Sequence, residues 1–148
     1  MKPGVDLIDS FTHLVVRADD PRLLAERTLD VVISLTDGRA AAVFTRDADR
    51  VMLFASRGID QEVLDAVEAI WTRHRAVLEK GEAFYVPDRV SDRRMPAEQR
   101  SGEAASLVVV PVLDDGQLVA LLYVDGRRPQ LCAAHDLARL AKFSRIVA

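Results

Sequence analysis

The sequence predicts an α+β domain built on an antiparallel sheet. Two nearly continuous apolar runs, residues 107–113 and 118–124, flank Asp114-Asp115-Gly116, and a short turn ending in glycine between such runs is the strongest local hairpin signal. A second pair of β-favouring runs, residues 39–46 and 51–57, is split by the polar turn Asp47-Ala48-Asp49-Arg50, which makes another hairpin. Helical periodicity lies outside these runs. Strands joined mainly by hairpins, with helices kept apart from them, give an antiparallel sheet rather than an alternating βαβ chain.

Each element has its own justification. Residues 5–17 carry Ile8, Phe11 and Val15 at helical spacing, with Leu7 and Leu14 adjacent, and form a short leading helix. Asp20-Pro21 pairs an N-cap with a proline at the first helical position; a stripe of Leu24, Thr28, Val31, Val32 and Leu35 then runs until Asp37-Gly38 stops it. Gly58 ends the first hairpin. Asp60 caps a long helix with Val63, Leu64, Val67, Ile70, Trp71, Val77 and Leu78, closed by Lys80-Gly81, a cationic last turn before a glycine. Phe84-Tyr85-Val86 is a short strand ended by Pro87. Residues 88–103 are polar and read as a loop with one helical turn near residues 97–100. The central hairpin is apolar on both faces, so both faces should be covered, and Pro111 should sit at a bulge or turn its missing N–H outward. Residues 133–147 form the last helix.

Composition narrows the function classes. With 148 residues, 49% of them apolar and 29% charged, the chain fits one domain able to bury a core without staples. Its single cysteine, Cys132, leaves no internal disulfide, and a reducing cytoplasm is the expected compartment. No apolar stretch reaches the roughly 18 residues of a membrane span, and residues 1–10 lack the pattern of a signal peptide. A net charge of -3 with interspersed Lys and Arg gives no positive field, so this domain is not expected to bind nucleic acid directly or to meet a membrane. Enzyme motifs are missing: His13, His74 and His135 fall on separate helices without metal-ligand spacing, and no Gly-x-Ser-x-Gly, paired cysteine or phosphate-binding loop occurs. The chain is expected to have no catalytic residues and no metal, with its cofactors unknown.

Residues 24–35 as a first core helix, Ala41-Ala42-Val43-Phe44 as a strand, and residues 77–83 with Asp88 resemble a GAF domain. The block 107–112 and then Leu121-Leu122-Tyr123-Val124-Asp125-Gly126-Arg127-Arg128-Pro129 complete the pattern. The resemblance covers nearly the whole chain, 21–147 as core and 5–17 as leader. It implies a GAF/PAS-like sheet of five to six strands in the order 2-1-5-4-3, with the terminal helices on one face. The LLYVDGRRP ending looks most like the GAF modules of bacterial sigma-54-dependent transcriptional activators, which implies a linked AAA+ ATPase and a DNA-binding module in a longer protein from which this chain is excised.

The resemblance also implies a small-molecule site between the sheet and the segments over its open face, residues 60–80 and 88–103. Trp71, Arg73, His74, Tyr85 and Met95 are its candidates: Arg73 and His74 as polar contacts to an anionic or amide ligand, Trp71 as a wall, one of the alternating pair Phe84 and Tyr85 facing the pocket, and Met95 as a lid residue. For Arg73 and His74 the plain alternative is a solvent-facing side chain, and for the aromatics it is core packing. Cyclic-nucleotide-binding relatives carry an Asn-Lys, Phe, Asp-Glu pattern; Leu131 and His135-Asp136 depart from it. A bilin site would need a thiol in the pocket, whereas Cys132 starts the last helix, and the GAF-like methionine sulfoxide reductases rely on several cysteines. The expected function is a regulatory sensor that acts on a linked output module. Its rivals are a degenerate domain acting only as a dimerisation scaffold and the input domain of a histidine kinase or cyclic-di-nucleotide enzyme. The resemblance and the apolar residues of the terminal helices, Phe11, Val15, Leu140, Phe143 and Val147, imply a homodimer.

Overall fold

The structure is a computed structural model describing residues 20–100 and 102–130. The terminal helices expected over 5–17 and 133–147, and with them Phe11, Val15, Cys132, Leu140, Phe143 and Val147, lie outside the described residues.

Two helices are set by their caps. In α1, Pro21–Thr36, the Asp20 carboxylate accepts from the Leu23 N–H at 3.1 Å and Pro21 occupies the first turn, as its spacing predicts. Its stop is Asp37 itself in the left-handed region, φ 53°, with Gly38 donating back to Ile33 O at 2.9 Å. The buried residues described on α1 are Ala25, Leu29 and Val32; of the predicted stripe Val32 is buried, while Leu24 and Val31 are half-buried. Leu23, Leu24, Val31 and Ile33 also put apolar atoms on the neighbouring faces. The sheet selects the face that carries Ala25, since its own Ala41 and Ala55 permit close approach there. In α2, Gln61–Glu79, Asp60 Oδ1 accepts from Val63 N at 3.1 Å. Its backbone leaves helical geometry at His74, φ −122° and ψ 22°.

The strands β1 Ala40–Asp47, β2 Arg50–Arg57, β3 Phe84–Val86, β4 Ser106–Asp114 and β5 Gln117–Gly126 form one antiparallel sheet in the order β2-β1-β5-β4-β3. The β4–β5 turn is Asp115-Gly116, with φ 53° and 76°, the paired positive angles of a type I′ hairpin. Pro111 pairs with Leu121, two residues past the last β3 contact and one before an irregularity at Val112/Leu113.

Alternation splits the sheet into two cores. Ala41, Val43, Val108, Val110, Val112, Leu122 and Val124 face α1. Ala42, Phe44, Leu107, Val109, Leu121 and Tyr123 face α2, with Val63, Val67, Ile70, Trp71 and Leu78 of the helix packed on them. A strap, residues 87–100 and 102–105, with a 3₁₀ turn at Ala97–Gln99, crosses beside α2 on this second face. The central strands are therefore covered on both sides, as their unbroken apolar runs predict.

Candidate functional site

The α2 face is where the sheet, the helix and the strap converge, and it holds the buried ions Arg89 and Asp125. Arg39 precedes β1, and Asp125 is near the end of β5; the antiparallel register sets Ala40 opposite Asp125 and brings the two side chains together. The guanidinium grips the carboxylate with both ends, Nε to Oδ1 at 3.0 Å and Nη2 to Oδ2 at 2.8 Å, and reaches Glu103 of the strap at 3.2 Å. Asp125 also accepts from the Tyr123 hydroxyl at 2.5 Å. The Asp125 hydrogen bond is the largest effect on Arg39 and raises its pKa, against the cost of burial. Burial, first, and then the neighbouring Asp125 charge push the Tyr123 phenol far above its ordinary value, while Arg89 and Arg39 pull it back only in part. Tyr123 is thus a neutral donor to a paired carboxylate.

Arg89 is the second buried cation, 2% exposed. Its Nη2 donates to Glu62 Oε1 at 3.0 Å, its Nε donates to Gln99 O, and its backbone N–H donates to Ala105 O at 2.8 Å. Nearby on the strap, the buried Gln99 Oε1 has no hydrogen-bond partner among the described residues. Glu62 lies directly over Gly102: a Cβ there would fall 1.6 Å from Oε1.

The five candidate residues are not brought together. Trp71 is buried, with its indole N–H donating to Asp49 O at 2.9 Å and the Arg46 and Arg75 guanidinium carbons 5.4 and 5.0 Å from the ring, so it seals the β1–β2 turn against α2. Arg73 is exposed. His74, at the break in α2, stacks on Phe84 with centroids 4.4 Å apart, and its Nε2 lies 3.3 Å from Arg94 O. Of the alternating pair, Phe84 faces α2, and Tyr85 packs toward the α1 core. Met95 is fully buried among the α2-face residues. Arg94 is held by Asp92 at 2.6 Å, donates to Tyr85 O, and lies 4.6 Å over the Phe84 ring. Arg39, Glu62, Arg89, Tyr123 and Asp125 were not among the sequence candidates. The signal present for one of them was an acid, Asp125, directly after the apolar run 118–124.

Bordered by the same Arg39, a cavity of about 540 Å³ opens between the end of α1, residues 36–39, and the exit from β5, residues 126–130. Among the described residues no cluster of three His, Cys, Asp or Glu side chains could hold a metal ion, and no helix is long and apolar enough to cross a membrane.

A five-stranded sheet of this order, a helix on each face and a strap over one of them define a GAF/PAS-like α+β domain. The chain belongs to the GAF domain family, which matches residues 20–148. No curated protein matches it significantly. Among solved structures it is similar to the GAF domain of a phosphoenolpyruvate-protein phosphotransferase from Coxiella burnetii, with a TM-score of 0.72 and 13% identity over 97% of this chain and 90% of that one. It is similar also to a free methionine-R-sulfoxide reductase from Neisseria meningitidis, solved with its substrate, with a TM-score of 0.69 and 17% identity over 97% and 85%. A third is the phycocyanobilin-bound GAF domain of a cyanobacterial phytochrome, with a TM-score of 0.68 and 12% identity over 99% and 96%. These identities carry the fold alone.

Proposed function

We propose that this chain is a regulatory sensor domain in which a small molecule, or a partner protein, engages the α2 face and modulates a linked output module. The observation that supports it is a strap that closes this face with the buried Met95 and carries a buried Gln99 Oε1 that has no hydrogen-bond partner among the described residues. A closed arrangement of this kind acts by population shift: a ligand binding the open arrangement better draws the strap away. The output we assign is that of a cytoplasmic sigma-54-type transcriptional activator, an AAA+ ATPase with a DNA-binding module. The input role in a histidine kinase or cyclic-di-nucleotide enzyme is its alternative.

Two proteins of similar fold reduce methionine sulfoxide; a sequence with one cysteine supports regulation over that chemistry. A scaffold without ligand is the competing reading, favoured by the same buried Met95. Thermal-shift screening against a metabolite library separates the two: a reproducible rise in melting temperature supports the sensor, and none across the library supports the scaffold. We propose further that the domain is a homodimer through Phe11, Val15, Leu140, Phe143 and Val147. Sedimentation at tens of micromolar should show a dimer that a Phe11→Glu, Phe143→Glu variant dissociates, and a monomeric wild type would end that reading.

A further inference from the structure

Both ends of the strap are tied to the segment by which the chain leaves β5. At its start, Pro87 O accepts from the Gln130 N–H at 2.7 Å; at its end, Ala105 N donates to Gly126 O at 2.8 Å. Ser106 Oγ, one residue on, donates to Arg128 O at 2.7 Å. The neck of the strap is closed by the Arg89 N–H on Ala105 O at 2.8 Å, so its two ends move as one. Its body is tied instead to α2, through Arg89 to Glu62 at 3.0 Å, His74 Nε2 at 3.3 Å from Arg94 O, and the buried Met95. The exit segment also borders the cavity at the end of α1.

We propose that the strap is a relay: releasing its body from α2 loosens residues 126–130, and loosening those residues releases the strap. The physical ground is that one short element carries both sets of bonds, and an equilibrium biased at one end must be biased reciprocally at the other. The relay gives the sensor reading its route from the covered face to the chain beyond Gln130 and rests on that reading for its purpose. The coupling itself belongs to the chain without ligand.

Amide hydrogen exchange on the whole chain, read residue by residue by NMR, tests it. Glu62→Gln weakens the strap's hold on α2 and should speed exchange at Ala105 and Gln130 about tenfold, with the β1–β2 amides unchanged. Ser106→Ala, cut at the other end, should speed exchange at Met95 and Gln99, whose N–H groups bond to Asp92 O and Pro96 O, by a similar factor. The relay is overturned if Glu62→Gln frees Met95 and leaves Gln130 protected, or if Ser106→Ala leaves the strap amides unchanged. Should Glu62→Gln loosen the entire sheet, Ser106→Ala decides alone. A ligand screen that fails sinks the sensor reading and leaves this coupling standing.

Discussion

Arg39 holds Asp125 through two nearly parallel hydrogen bonds, 3.0 and 2.8 Å, with the carboxylate fully buried and the guanidinium side chain 8% exposed. Pairing in this geometry satisfies the ions, but burying them costs much of what it returns. Removing one partner should therefore be far worse than removing both. Arg39→Ala strands a buried carboxylate and is expected to cost about 3–5 kcal/mol. An Arg39→Met, Asp125→Asn double variant should cost less than the sum of its singles in a denaturant-melt double-mutant cycle. Additive losses would mean that the pair is not coupled.

Tyr123 carries a base-side prediction. Its folded pKa lies far above the unfolded value because burial and Asp125 disfavour the phenolate. Below about pH 10 the phenol is protonated in both states and its contribution is whole. Above that pH only the unfolded chain gives up the proton, so stability falls by up to about 1.4 kcal/mol per pH unit from this group alone. Urea melts from pH 9 to 11.5 should show a steeper decline for the wild type than for Tyr123→Phe. Parallel declines would remove Tyr123 as the cause.

The contrast between Met95 and the hairpins shows what a sequence displays. Asp115-Gly116 and Asp20-Pro21 act on neighbouring backbone, so their geometry is local and legible, and the two-sided apolar runs of β4 and β5 announce a central hairpin. With the family pattern, these yield the strand order. Met95 sits between Arg94 and Pro96 in a polar stretch, and its local surroundings hide that it is pulled 0% exposed into the core. Which of Phe84 and Tyr85 turns to α2 depends on the register with Val109 and Val108, set by a strand more than twenty residues away. Arg39 and Asp125 are separated by most of the chain, and only the β1–β5 register joins them.

Met95→Ala distinguishes a plug from a surface lid. A buried methionine cut to alanine leaves a cavity and should cost about 2–5 kcal/mol, whereas an exposed lid residue would cost almost nothing. Circular-dichroism melts measure the loss. If the domain takes a ligand on this face, the same variant should also bind it more tightly, because the space is vacated beforehand.

Gly102→Ala tests how the strap is fastened. Gly102 sits at φ 137°, a region closed to side-chain-bearing residues, and a Cβ would meet Glu62 Oε1 at 1.6 Å. The Glu62 carboxylate cannot simply swing aside without leaving Arg89, whose side chain is 2% exposed. Strain and a broken ion pair thus fall on the same few residues, with backbone strain alone worth about 1–3 kcal/mol. The sheet does not depend on Gly102, so its two cores should survive while the strap loosens. Limited trypsin digestion in native buffer should then cut Gly102→Ala within the strap, at Arg93 or Arg94, well before the intact wild type is cut there, while the far-ultraviolet spectrum is unchanged. Equal resistance of the two proteins would mean that the Glu62–Arg89 pair packed over Gly102 does not fasten the strap.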